Sequence, residues 1–332
     1  MQKRILIITD NLPEQINGVV TTFENISKIG RNYGYDFVYI SPWDFPHTGA
    51  PGYPEVKLSW PKGIGKIIEA SNASHIHIAT EGPVGLAGRL YCDRKGYKYN
   101  TSYHTRFPEF VKKMYGVPLS WTYLYLRWFH KHSGKVLTTT PAMVKDLVEH
   151  GFRGKIIPWT RGVDRNTFHP EYRVNRRHPR PVLLSVGRVS KEKGLDDFCS
   201  LKYDATKIVV GDGPYRKELE RKYPDVQFVG VKRGRELAEY YANADVFVFP
   251  SVNDTFGIVM IEAMACGTPV AGYHVTGPED VVYQGLTGVL DDDLVTAVDR
   301  ALMLDREVVH ANSLDWNWGK AWEIFETNLI NK

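Results

Sequence analysis

Asp254 and Glu262 stand eight positions apart, in a stretch whose second half has helical composition. On one helix that spacing is about 12 Å along the axis. This is long enough for one acid to hold the hydroxyls of a hexose while the other holds a ribose, with a diphosphate between them. Phe256, Gly257 and Ile258 lie where such a helix would begin. Free N–H groups and the positive end of the helix dipole favour an anion there, and a glycine lets it approach the backbone. The alternative is that Asp254 is an ordinary N-cap and Glu262 a solvated helix charge.

Two cations add to the first reading. The apolar run Val182 to Val186 reads as a strand and ends in Gly187, Arg188 and, shortly after, Lys193. Two bases at the carboxyl end of a strand could neutralise a diphosphate as the bond to it breaks, which is where negative charge develops. Gly211 follows the next strand in a Gly-Asp-Gly-Pro turn that lacks the third glycine of a dinucleotide fingerprint. Val231 ends the strand after that, placed to meet a nucleotide base.

The elements that must position these residues alternate strand and helix, which predicts an α/β chain with doubly wound parallel sheets. In such sheets ligands bind beyond the carboxyl ends of strands. That rule also singles out residues in the first half: Asn17 and Gly18 before the first helix, Glu81 after the strand at 74–79, and His104 and Arg106 after the strand at 99–103. A lone glycine loop or a lone histidine is weak evidence, and His75 and His77 read as structural. Asp291, Asp292 and Asp293 could hold a hard cation, but their position before residues 294–304 favours a helix cap, and no metal site is assigned.

The chain has 332 residues, enough for two domains. Its charge is uneven: the first 165 residues carry 22 Lys+Arg against 13 Asp+Glu, the remainder 20 against 25. A basic first half suits an anionic partner, whether a leaving diphosphate, a phosphorylated acceptor or a membrane bearing acidic lipid. Nucleic acid is not expected, because no basic run carries the aromatics of a reading module. Residues 119–132 are rich in aromatics between bases; they read as a helix packed in the first domain and wetted on one side, or as one lying on a membrane surface. Three scattered cysteines argue for a reducing compartment, and no run is long enough to span a bilayer. Residues 173–181 have linker composition.

Taken in order, Asn17-Gly18, Glu81-Gly82-Pro83, residues 102–109, Arg161 to Asp164, Gly187-Arg188, Lys193-Gly194, residues 210–214 and Asp254 through Glu262 resemble the retaining GT-B glycosyltransferases of family four. The sub-group they resemble is that of the GDP-mannose-dependent α-mannosyltransferases and sulfoquinovosyltransferases. The resemblance implies two Rossmann-like domains facing a central cleft. The acceptor domain would be 1–172, with 315–332 returning onto it, and the donor domain 173–314. It further implies hexose transfer with retention and without a metal or other cofactor, from a nucleotide-diphospho-sugar, GDP-mannose being favoured over a UDP-sugar. His104 and Asp254 would hold sugar hydroxyls, Arg188, Lys193 and the Gly257 amide the diphosphate, and Glu262 the ribose. The acceptor would be a lipid or glycan, met in the cytoplasm or at the inner face of a membrane. Two departures stand out: aspartate at 254 where glutamate is usual, and a segment between Gly194 and Lys207 short enough to abbreviate a helix. A sugar-nucleotide epimerase and a non-catalytic nucleotide-sugar binding protein are the rival readings.

Overall fold

A computed structural model describes residues 3–11, 15, 17–50, 53–174 and 180–332. Part of the expected linker (175–179) and part of the first loop (12–14 and 16) lie outside the described residues. The chain divides into two compact units, Met1–Thr160 with Trp318–Lys332, and Arg161–Asn317.

Unit 1 contains β1 (Lys3–Ile8), α1 (Gly18–Asn32), β2 (Tyr35–Ile40), β3 (His47–Ala50), β4 (Tyr53–Ser59), α2 (Ile64–Ala70), β5 (His75–Ile78), α3 (Pro83–Lys95), β6 (Asn100–Tyr103), α4 (Phe107–Tyr115), α5 (Leu119–His130), β7 (Val136–Thr138), α6 (Pro141–Glu149) and β8 (Ile156–Pro158). Its main sheet is parallel throughout, in the order β2-β1-β5-β6-β7-β8, with β3 and β4 as a separate antiparallel pair. Ile5 to Ile8 are wholly buried, as expected for a strand covered on both faces.

Unit 2 contains β9 (Val182–Val186), α7 (Leu195–Ser200), β10 (Thr206–Val210), α8 (Arg216–Lys222), β11 (Gln227–Phe228), α9 (Gly234–Asn243), β12 (Val246–Phe249), α10 (Ile258–Ala265), β13 (Val270–Gly272), α11 (Pro278–Val281), β14 (Gly288–Leu290), α12 (Leu294–Ala301) and α13 (Arg306–Asn312). Its six parallel strands run β11-β10-β9-β12-β13-β14, so the chain winds outward from β9 and then restarts on its other side at β12. The switch point lies between those two strands. The corresponding point in unit 1 lies between β1 and β5.

The abbreviated helix between Gly194 and Lys207 is α7, six residues long. Asp293 caps α12, accepting from the N–H groups of Val295 and Thr296, and Asp291 pairs with Arg300 at 3.6 Å. The final helix, α14 (Trp318–Thr327), packs in unit 1: Trp322 and Phe325 are buried, and Trp159 donates its indole N–H to the carbonyl of Ala321 at 2.9 Å. Gly30 of α1 is required here, because a Cβ would lie 2.5 Å from the Trp322 ring. Residues 161–172, placed by the sequence in the first domain, fall in unit 2, where Val163 and Phe168 join its core. Their apolar side chains have a sheet to pack against there, which linker composition alone does not reveal.

Candidate active site

The unit 2 candidates come from both sides of its switch point. After β9 the chain turns at Gly187, whose N–H bonds the Val210 carbonyl at 3.0 Å, while Val189 N–H bonds that of Asp212 at 2.9 Å. Gly211 fits between them only as glycine: it sits at φ +138°, and a Cβ would lie 1.9 Å from the Gly187 oxygen. Gly211 thus lets two strand ends approach each other, with Arg188 carried on one of them. Its N–H bonds the Gly230 carbonyl at 2.8 Å, which sets the exposed Val231 just beyond β11 at the same sheet edge.

Gly194, at φ +66°, lays the Lys193 turn against the chain leaving β12; a Cβ there would sit 2.5 Å from the Pro250 carbonyl oxygen. This contact brings Lys193 Nζ to 2.6 Å from Asp254 Oδ1. Burial alone would raise the Asp254 carboxyl, but the charge and hydrogen bond of Lys193 hold it below its ordinary value. The second oxygen, Oδ2, and the Ser251 hydroxyl are buried with no hydrogen-bond partner. A switch point that presents an ionised carboxylate with one unused oxygen is equipped to accept from a hydroxyl.

Asp254 and Glu262 do not share a helix. Helix α10 starts at Ile258, with Gly257 as its N-cap at φ +83° and no side chain closing that end. The 12 Å estimate therefore fails, because residues 254–257 form a loop. Phe256 is also not free to bind: its ring is buried in the core and meets Trp316 edge-on at 5.3 Å. Ile258 packs partly against the same core, so these two residues offer their backbone rather than their side chains. Apart from Glu262, α10 is made wholly of apolar residues. Burial pushes the Glu262 carboxyl up to about 7, moderated by a hydrogen bond to Oε2 from the Tyr241 hydroxyl at 2.9 Å.

Unit 1 disposes of its candidates differently. Asn17 is the N-cap of α1, its Oδ1 accepting from the N–H groups of Val19 and Val20 at 3.0 Å each. Gly18 is the first residue of that helix. Glu81 turns inward, with Oε1 3.3 Å from His130 Nε2. Arg106 donates to Asp146 Oδ1 at 3.1 Å. His104, just past β6, is partly buried, its ring edge-on to Phe23 at 5.8 Å and 5.9 Å from Trp159. His77 is fully buried, accepts or donates one bond with Ser102 Oγ at 2.6 Å, and is pulled down to about 3 by burial, so it is neutral and structural.

Two residues that sequence reasoning passed over matter here. Asp10 bridges the unit 1 switch point: its carboxylate receives the Thr80 hydroxyl at 2.7 Å, the Val84 N–H at 2.7 Å and the Gly85 N–H at 3.3 Å. It thereby caps α3 from another strand, because Gly82 has no side chain to do so. Its place right after β1 was the available signal. Tyr241 is the other, and no local signal pointed to it, since it reaches Glu262 from a different helix.

Residues 16–167 match the model for Glycosyltransferase Family 4, and residues 180–304 that for Glycosyl transferases group 1. The sulfoquinovosyl transferase SQD2 of Arabidopsis thaliana is 30% identical over 92% of this chain and 68% of that protein. A GDP-mannose-dependent α-mannosyltransferase of Mycobacterium tuberculosis is 28% identical over 86% of this chain and 83% of its own. Among solved structures, a sucrose-phosphate synthase from Thermosynechococcus elongatus superposes with a TM-score of 0.77 at 19% identity, covering 98% of each chain. The Anabaena HepE protein in complex with UDP and glucose gives 0.73 at 17%, covering 98% of this chain and 99% of that one. The chain therefore belongs to the group 1 and family 4 glycosyltransferases and has their GT-B fold, and it is a glycosyl-transferring enzyme.

Proposed function

We propose that this enzyme transfers a hexose, with mannose favoured, from a nucleotide diphosphate to a lipid or glycan acceptor in the cytoplasm, with retention of configuration and without a metal ion. GDP-mannose is preferred over UDP-sugars as donor because relatives matching most of the chain are named GDP-mannose-dependent. The observation that carries the reading is the Lys193–Asp254 pair in the loops beside the open start of α10, the helix that carries Glu262.

In this reading Arg188, Lys193 and the Gly257 amide face the diphosphate. Fixed positive charge at that point stabilises the transition state as the sugar–phosphate bond breaks and the oxygen gains charge. Lys193 has three N–H donors, so it can meet the phosphate while keeping its bond to Asp254. Asp254 keeps an unused oxygen for a hydroxyl of the hexose, and His104 supplies a second contact to the sugar. Glu262 accepts from the ribose diol, which favours its ionised form and so counters the effect of burial. As the bond to the diphosphate breaks, the acceptor hydroxyl bonds the anomeric carbon on the same face and gives its proton to the departing diphosphate oxygen, which gives retention.

The test is nucleotide release and product anomer with GDP-mannose and with UDP-hexoses. Turnover with GDP-mannose, lost in Arg188→Ala and Glu262→Ala, supports the assignment. Full turnover in both variants removes it. An inverted product overturns retention, and loss of turnover on chelation overturns metal independence.

A further inference from the structure

Helix α10 carries one polar side chain, and half of that side chain is already held by another helix. All residues from Ile258 to Ala265 are apolar except Glu262. Its Oε2 accepts from the Tyr241 hydroxyl of α9 at 2.9 Å. Its Oε1 has no hydrogen-bond partner among the described residues and is not sealed from solvent. Glu262 stands about one turn into a helix whose start no side chain closes, so a diphosphate at that start would bring its ribose within reach.

Tyr241 has little freedom to move. It is fully buried, and its ring meets Phe168 edge-on at 5.9 Å and Phe247 edge-on at 5.6 Å. Its carbonyl accepts from the Thr268 hydroxyl at 2.6 Å, and Cys266 Sγ reaches the Ala238 carbonyl at 3.7 Å, which ties the end of α10 to α9. A ring packed in this way has one place for its hydroxyl. The last torsion of a glutamate is by contrast broad and two-fold, so an untied carboxylate turns readily. The bond from Tyr241 removes that freedom.

A buried tyrosine hydroxyl needs an acceptor, and Glu262 supplies one. That need does not account for a carboxylate. A neutral acceptor would satisfy the hydroxyl without the cost of holding a charge in an otherwise apolar helix, and burial does push the Glu262 carboxyl up to about 7. The acid is therefore kept for a group that arrives at Oε1.

We propose that Tyr241 is a positioning residue for the donor: by occupying Oε2 it presents Oε1 of Glu262 in one fixed place to the ribose diol, and the site thereby selects nucleotides that carry both ribose hydroxyls. This rests on the reading of Glu262 as the ribose acceptor. A carboxylate oxygen has lone pairs for two neighbouring hydroxyls. Locked in place, it cannot turn to recover a bond when one of them is missing, and the incomplete ligand is rejected. A carboxylate free to turn rejects it less. The Tyr241 hydroxyl thus sets selectivity more than bare affinity.

The experiment is calorimetric titration of the whole chain with GDP, with UDP, with the 2′-deoxy and 3′-deoxy forms of whichever binds more tightly, and with inorganic diphosphate. Wild type should bind the ribonucleotide about thirtyfold more tightly than at least one deoxy form, the usual effect of one hydrogen bond to a charged group. Tyr241→Phe keeps the ring and its packing. It should bring that deoxy form to within about threefold of the ribonucleotide and leave the affinity for inorganic diphosphate unchanged. In a Glu262→Ala background the same substitution should change nothing further, because Tyr241 acts through Glu262. Absence of discrimination in wild type, undiminished discrimination in Tyr241→Phe, or a parallel loss of diphosphate affinity in that variant would each overturn the proposal. Binding of neither GDP nor UDP to wild type would overturn the reading of Glu262 and the proposal with it.

Discussion

Each unit places an aspartate beside its switch point, and the two meet opposite fates. Asp10 in unit 1 is enclosed by a hydroxyl and two backbone N–H groups from the β5–α3 connection, and burial raises its carboxyl despite those bonds. Asp254 in unit 2 faces a lysine across the switch point, is held below its ordinary value and leaves one oxygen unused. The nearby helix starts differ in the same sense. Asn17 closes α1 with its own side chain, whereas no side chain closes α10. Equivalent topology thus gives one aspartate whose oxygens are taken up by the fold and one that keeps an oxygen unused.

The contrast can be broken most directly at the cations. Arg188→Ala should lower kcat by about a hundred- to a thousandfold, the usual cost of losing one group that stabilises developing charge, with little change in the melting temperature. Steady-state nucleotide release measures the first and calorimetry the second. A variant with wild-type turnover would erase the distinction between the units.

The aspartates should separate next. Asp10→Ala strands two N–H groups and a hydroxyl in the interior, and a loss of about 2–4 kcal/mol in unfolding free energy follows. Asp254→Ala breaks a partly exposed ion pair and should cost no more than about 1 kcal/mol while abolishing transfer. Denaturant titration of both variants checks this, and an equal loss in both would show that Asp254 is as structural as Asp10.

Glu262 sharpens the picture through pH. Its folded value of about 7 lies above the ordinary 4.5, so the folded state keeps the proton longer than the unfolded chain. The resulting stabilisation is complete below 4.5 and is lost as pH rises from there to about 7. Glu262→Gln cannot ionise and escapes the loss, so above pH 7 it should be more stable than wild type by about 2 kcal/mol, allowing for its partial exposure. In the wild type, nucleotide affinity should rise with pH through about 7, and the glutamine variant should show no such rise. Thermal melts and calorimetric titration across pH 5–9 (, roughly two units either side) read both outcomes.

The smallest expected effect is at the α1 start. Asn17→Ala removes the acceptor for two N–H groups and should cost about 1 kcal/mol without altering nucleotide affinity. A large drop in affinity would return Asn17 to the binding site that its place in the chain first suggested.

Most of the architecture could be read in advance. The strand at 182–186, the cap role of Asp293 and the tryptophan stripe of α14 follow from local composition and periodicity, and the shortened α7 from the length of its segment against the family pattern. The motif order also pointed to the right family. The side chains proved harder. Phe256 reads as a donor contact at a helix start, yet its ring belongs to the core with Trp316; Glu81 and Arg106 read as open to a ligand, yet each has an internal partner. Residues 119–132 form a helix packed in unit 1 and wetted on one side, as read from the sequence, with Trp121 and Trp128 on the wet side.

The sequence alone determined which segments become strands and helices and which loops follow the strand ends, because those depend on residue periodicity and on the special backbone freedom of glycine and proline. Only the tertiary structure decided which of those loop residues stay available. That choice depends on partners distant in the chain, such as Thr80 for Asp10, Lys193 for Asp254 and Tyr241 for Glu262, and on how far each pair is removed from water.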